Sequence, residues 1–185
     1  MSNYKLIFTG PSGAGKSTAI AALSDIPVVT TEAKAQERNE GHRYKQTITV
    51  ALDYGVIRLP NQDKIHLYGT PGQERFDFMW DILTEGGLGL IILIDNARIN
   101  PLDDLEFFVS KFNEFIHNTK VAIGITRMDV NAYPRITDYH ERLKKFNIKP
   151  PLFDVDARSK RDVSLLLQSL MFSLDPCLRA QDNSP

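Results

Sequence analysis

The sequence predicts a doubly wound α/β fold: a mostly parallel sheet with helices on both faces and one antiparallel hairpin strand at an edge. Three observations carry this. Short apolar runs recur along the chain and are nearly continuous, as in strands covered on both faces. Helix-period segments separate them, and strand–helix alternation is the pattern of a parallel sheet. Thr47 to Leu59 is the exception, because it alternates weakly, meets the turn residues Pro60-Asn61-Gln62-Asp63, and leads directly into another strand.

Taken in order, Tyr4 to Thr9 is the first strand and Ser17 to Leu23 the first helix. Asp25 to Gln46 is too polar for a core element and too long for a plain turn, so a functional loop is expected there. After the hairpin of Thr47–Leu59 with Lys64–Tyr68, the remaining strands are Leu88–Asp95, Lys120–Thr126 and Pro151–Asp156. Leu102 to Ile116 is the clearest helix, with Leu105, Phe108, Val109, Phe112 and Phe115 or Ile116 at helical spacing. Pro101 precedes it and Asp103 and Asp104 occupy its first turn, both start signals. Arg135–Phe146 and Asp162–Leu174 complete the alternation. Pro176 stops the last helix, so residues 1–175 are expected as one domain and 176–185 as a frayed tail.

Composition bounds the function. The 185 residues hold 22 Lys and Arg against 23 Asp and Glu, a net charge of −1. That balance offers no pull toward nucleic acid or an anionic membrane. The single cysteine, Cys177, cannot form an internal disulfide, which fits a reducing, cytoplasmic setting. Met1 to Lys5 lacks a signal-peptide pattern, and neither end carries a lipidation motif. The longest apolar run, Leu88 to Ile94, falls far short of the ~20 residues of a membrane span. A monomer without a membrane anchor is the expectation. His42, His66, His117 and His140 are scattered and show no metal-ligand spacing.

The strongest chemical signal is Gly10-Pro11-Ser12-Gly13-Ala14-Gly15-Lys16-Ser17, a match to G-x-x-x-x-G-K-[ST] between an apolar strand and a helix. Glycines let successive N–H groups turn toward phosphates, and the helix that follows adds its positive end. The fold is therefore expected to be of the P-loop NTPase kind. Gly10, Ser12, Gly13, Ala14, Gly15, Lys16, Ser17 and Thr18 would surround the phosphates. Lys16 would reach the β- and γ-phosphates, and the Ser17 hydroxyl would ligate Mg²⁺.

ATPase, kinase and GTPase all remain open on that motif. Leu67-Tyr68-Gly69-Thr70-Pro71-Gly72-Gln73-Glu74-Arg75-Phe76 resembles the second switch of Ras-like GTPases. The resemblance implies that the Gly72 N–H meets the γ-phosphate and Gln73 orients the attacking water. Thr126-Arg127-Met128-Asp129 resembles the guanine-recognition motif Asn-Lys-x-Asp with two substitutions. A carboxylate at Asp129 accepts from guanine N1–H and the 2-amino group, and Arg127 can lie over the base. Asp156-Ala157-Arg158 resembles the Ser-Ala-Lys element, in which the alanine N–H meets the guanine 6-oxo group.

The resemblance covers Tyr4 to about Leu174 and is nearest to prokaryotic Ras-like GTPases of the MglA and conservon type. It is carried by Tyr68 to Phe76 and by Thr49-Val50-Ala51-Leu52-Asp53-Tyr54-Gly55. It implies a Mg²⁺-dependent switch that binds GTP and GDP and hydrolyses GTP slowly. By the same resemblance the regulator is a small roadblock-fold protein, and the biology is polarity, motility or signalling. The effector is open. So is a non-hydrolysing, nucleotide-bound scaffold.

One position departs from the family pattern. Where Ras-like proteins place an aspartate behind the metal, this chain has Gly69. On a strand, Thr47, Thr49, Ala51 and Asp53 share a face, so Asp53 is expected to supply the missing carboxylate alongside a switch threonine. The MglA-like spacing favours Thr49, and ordinary Ras alignment favours Thr47. Arg38 and Arg43 are candidates for an internal arginine finger, although neither directly precedes those threonines. Phe76, Phe78, Met79 and Trp80 follow the switch glutamine and read equally as core or as a partner surface.

Overall fold

The computed structural model describes residues 2–36, 47–72 and 78–174, as backbone alone at 31–36, 47–51, 78, 79 and 81. Their order is β1 (Asn3–Thr9), α1 (Lys16–Leu23), β2 (Val29–Gln36), β3 (Thr47–Arg58), β4 (Lys64–Gly69), α2 (Phe78–Thr84) and β5 (Gly89–Asp95). There follow α3 (Pro101–Lys111), α4 (Asn113–Asn118), β6 (Val121–Thr126), α5 (Ile136–Leu143), β7 (Leu152–Asp154) and α6 (Lys160–Leu174).

Among the described residues the strands form one sheet in the order β2-β3-β4-β1-β5-β6-β7. β4, β1, β5, β6 and β7 are mutually parallel. β3 is antiparallel both to β4 and to β2, so it alone runs against the rest. The α/β class and the reversed strand agree with the sequence reading. A finding beyond it is β2, which occupies part of the segment expected as a long loop. Its polar residues become a strand through their ladder to β3, from Val29↔Tyr54 to Gln36↔Thr47.

Alternation explains the layers. Leu6, Ile7 and Phe8 are all fully buried because successive side chains enter opposite faces, each of them covered. On one face Leu6, Phe8, Leu67, Ile91 and Leu93 pack with Ile20 and Leu23 of α1 and Leu166 and Leu170 of α6. On the other, Ile7, Leu90, Ile92 and Ile94 pack with Trp80, Phe108, Val109 and Tyr139. Burial of each such side chain contributes about 1.5–3 kcal/mol. α6 earns its place by spacing: Val163, Leu166, Leu167 and Leu170 are its buried stripe.

The helix expected over Leu102–Ile116 is two, α3 and α4, meeting at Phe112. Phe108, Phe112 and Ile116, four residues apart and linked by successive backbone hydrogen bonds, all stay in the core across that junction. Phe112 stacks on Trp80 with centroids 5.1 Å apart. Trp80, 3% exposed, is therefore core rather than partner surface. Phe78 and Met79 are described as backbone only, and Phe76 lies outside the described residues.

Two features of this architecture position the site. The C-terminal ends of β1, β5 and β6 meet at one edge of the sheet, where ligands of such folds bind. At the same edge β4 ends at Gly69, opposite Asp53, so earlier residues of β3 pair with β2 alone. They form a two-stranded arm beyond the sheet. No helix among the described residues is long and apolar enough to cross a membrane.

Candidate functional site

The loop between β1 and α1 wraps the start of that helix. Gly15 caps α1 in a left-handed conformation, with no side-chain cap and no acidic residue in the first turn. The helix's own first turn supplies no carboxylate to its positive end, a setting that favours an anion. The Lys16 ammonium lies within the loop, donating to the carbonyls of Gly10 and Pro11 at 2.8 Å each. Burial pushes it down to about 8, against the upward pull of Asp53, while nearby Arg98 presses it down further. Ser12, Gly13, Ser17 and Thr18 are exposed around it.

The segment after β4 is pinned onto this loop. The Thr70 N–H donates to Phe8 O at 2.8 Å, and its hydroxyl donates to the Thr9 hydroxyl at 2.8 Å. The Trp80 indole N–H donates to Pro71 O at 3.3 Å. Gly72 is thereby pressed against the loop. A Cβ there would stand 2.5 Å from Ser12 N and 2.7 Å from Lys16 Nζ, so only glycine permits the approach. Gln73 lies outside the described residues, as do Arg38 and Arg43.

Asp53 answers the Gly69 departure geometrically. The two are ladder partners, and a Cβ built on Gly69 would lie 3.4 Å from Asp53 Oδ2. That same Oδ2 accepts from the Ser17 hydroxyl, and Oδ1 accepts from the Thr30 hydroxyl at 3.1 Å. Thus a neighbouring strand delivers a carboxylate directly beside position 69. A hydroxyl beside a carboxylate is a hard-oxygen donor set that suits Mg²⁺ together with phosphate oxygens. No cluster of three or more potential His, Cys, Asp or Glu ligands occurs among the described residues, so an ion here would depend on the nucleotide. Thr49 and Thr47 lie up the arm, about 13 and 20 Å along β3 from Asp53 at ~3.3 Å per residue.

Beyond the loop lies a cavity of about 490 Å³, lined among others by Gly13, Ala14, Gly15, Thr18, Thr126, Arg127, Asp129, Ala157 and Arg158. The structure thus brings together all the residues singled out for base recognition. The buried Thr126 hydroxyl lies 3.2 Å from both Ala14 O and Ile94 O, tying the end of β6 to the loop. Arg127 adopts φ 58°, and its carbonyl accepts from the N–H groups of Val130 and Asn131, which fixes the turn bearing Asp129. Asp156 chelates Arg158 through its Nε and a terminal nitrogen, 2.9 Å each. Those bonds hold the Asp156 carboxyl below the usual carboxylate range. Asp154 also lines the cavity, and burial together with the charges of Asp129 and Asp162 raises its pKa.

Two contributors went unseen in the sequence. Asp95, at the end of β5, accepts from Arg127 through Oδ2 and from the Ala97 N–H through Oδ1 at 2.9 Å. Asn96 is fully buried and fully bonded. It donates to Asn131 O at 2.5 Å and Pro134 O at 3.2 Å, and accepts from the Tyr139 hydroxyl at 2.5 Å. Burial and nearby carboxylates hold that phenol well above its usual range. The available signal was the Asp-Asn pair closing an apolar run, since polar residues at strand C-termini in α/β sheets face the ligand edge.

The chain is similar to several known proteins. The chain is 28% identical over 147 residues to an uncharacterized protein of Methanocaldococcus jannaschii, covering 78% of this chain and 83% of that one. It is 21% identical over 184 residues to the Ras-related protein RabC of Dictyostelium discoideum, covering 95% and 86%. It is 22% identical over 175 residues to the Ras-related protein Rab-18 of Caenorhabditis elegans, covering 92% and 79%. These similarities and the phosphate loop make it a nucleotide-binding P-loop protein related to the Ras and Rab proteins. A family model described as conserved hypothetical ATP binding protein matches residues 8–183, and the chain belongs to that family.

Proposed function

We propose that this protein is a Mg²⁺-dependent guanine-nucleotide switch that hydrolyses GTP slowly. The observation that carries the reading is the single cavity in which Asp129, Arg127 and Ala157 stand beside the phosphate loop. A carboxylate at the base end accepts two hydrogen bonds from guanine's N1–H and 2-amino edge, donors that adenine does not present there. On this reading Lys16 neutralises the β- and γ-phosphates, and the Gly72 N–H registers the γ-phosphate. Gln73 orients the attacking water.

Ser17 and Asp53 would hold Mg²⁺, directly or through its water, with Thr49 or Thr47 as the switch threonine. The ion would neutralise charge developing on the β- and γ-oxygens. Hydrolysis in this class is positioning plus charge stabilisation, and an arginine supplied by a partner commonly provides the latter. Slow turnover of the isolated chain follows. By the MglA-like resemblance the partner would be a roadblock-fold regulator, and the output a nucleotide-dependent surface used in polarity, motility or signalling.

Phosphate release from GTP and from ATP, with and without Mg²⁺, tests the proposal in wild type and Gln73→Leu. Slow, GTP-selective, Mg²⁺-dependent release that falls in the variant is expected. Preference for ATP, the nucleotide in the family's description, would overturn the guanine reading. Tight GTP binding with no release, even with a regulator added, would point to a scaffold.

A further inference from the structure

Arg127 stands where the guanine-recognition motif carries lysine, and its surroundings show how the longer side chain is managed. The residue sits in a left-handed turn directly after β6 and lines the base cavity. Its side chain is 52% exposed, so packing alone does not hold it. Asp95 is the opposite case, with a side chain only 5% exposed. The sheet register sets them side by side, because Asp95 is the ladder partner of Thr126, the residue before Arg127. Both Asp95 oxygens are engaged, one by Arg127 and the other by the Ala97 N–H. That second bond fixes the carboxylate's orientation independently of Arg127.

We infer that Asp95 is a positioning residue of the base site, holding the Arg127 guanidinium at its far end so that the side chain forms one wall of the cavity. This rests on reading the cavity as the seat of a nucleotide base. A free arginine on a surface samples many rotamers and loses that freedom when a ligand immobilises it. Anchored by a buried carboxylate at one end and by the turn at the other, Arg127 presents its stem and planar group already arranged. Lysine has a single ammonium and no planar face, so it cannot both lie along a base and reach past it to a carboxylate on the next strand. The substitution at 127 and the aspartate at 95 are therefore one feature. Asp95 touches neither phosphate nor base, and its influence runs through Arg127.

The test separates base binding from phosphate binding. Dissociation constants for GDP and for inorganic pyrophosphate, which reaches only the phosphate loop, are measured by calorimetry. The proteins are wild type, Asp95→Asn, Arg127→Met and the double variant. Asp95→Asn keeps the side-chain volume and can still accept from Ala97. Arg127→Met strands the buried Asp95 carboxylate, so unfolding midpoints are measured alongside. The double variant leaves no charge unpaired there and keeps the test readable if Arg127→Met is destabilised. Each single change is expected to weaken GDP about tenfold, as loss of a charge-assisted bond to a buried group does, with pyrophosphate unchanged. The double variant should be no weaker than Arg127→Met, because the two residues act as one. Unchanged GDP affinity in Asp95→Asn would overturn the inference, and so would equal losses for GDP and pyrophosphate or losses that simply add. Should wild type prefer ADP to GDP, the guanine reading fails while the Asp95–Arg127 coupling is read in the same way with ADP.

Discussion

At the scale of single residues, the phosphate loop holds its own titration. Lys16 is buried among carbonyls and its pKa is pushed down to about 8. Binding a polyanion favours the charged ammonium and so raises that pKa, which means that binding takes up protons near pH 8. Affinity for pyrophosphate in metal-free buffer should be full below pH 8 and fall above it, by at most about one decade per pH unit. Calorimetry in buffers of different ionisation enthalpy reads the proton uptake directly, and Lys16→Met should abolish it. A second residue-scale prediction concerns the exchanged carboxylate. Asp53→Ala should raise the Mg²⁺ concentration needed for half-maximal nucleotide binding by about tenfold or more. Adding Gly69→Asp should recover part of the loss, since the two positions are ladder partners and a carboxylate at 69 starts beside the place the Asp53 carboxylate leaves. An unshifted Mg²⁺ titration in Asp53→Ala would dismiss the metal role.

At the scale of elements, β3 belongs to two structures. From Asp53 to Arg58 it is sheet, laddered to β4 throughout, with β2 adding a second partner at Asp53 and Tyr54. Before Asp53 it pairs with β2 alone, and a two-stranded ribbon is marginal by itself. Amide exchange in the arm should therefore outpace that in β1, β5 and β6 by at least about a hundredfold, measured by hydrogen–deuterium exchange. Equal protection would mean that other parts of the chain secure the arm.

This division also explains what the sequence disclosed. Buried parallel strands were legible because Leu6 to Phe8 and Leu90 to Ile94 need apolar side chains on both faces. β2 was not, because Thr30, Glu32 and Lys34 show no apolar pattern and take strand form only from their partner. The phosphate loop and the Thr126 and Ala157 segments were readable since each follows the end of an apolar strand. Strand parity put Asp53 on the same face as Thr47 and Thr49. Its place opposite Gly69, and that of Asp95 beside Arg127, required the strand order and register, which no local pattern encodes.

At the scale of the whole molecule, the site joins segments far apart in the chain: the β1–α1 loop, the ends of β5 and β6, and the loop after β7. A ligand held by all of them stabilises the entire fold by mass action. At a concentration 100 times Kd the gain is about 2.7 kcal/mol, roughly 5–10 °C in unfolding midpoint for a chain of this size. Scanning with GTP, ATP and pyrophosphate should rank them GTP first, and a larger shift with ATP would contradict the guanine assignment.

The opposite edge of the sheet carries none of these groups. There the β3–β4 turn runs through Pro60, Asn61 and Gln62, all exposed, at the far end from Lys16 and Asp129. Such a turn tolerates added chain, and β4 runs from it straight to Gly69 and Gly72. A fluorescent domain spliced at Asn61 would ride on the strand that leads to Gly72 beside the phosphate loop. On the proposed function it is an attachment point for an optical reporter of nucleotide state.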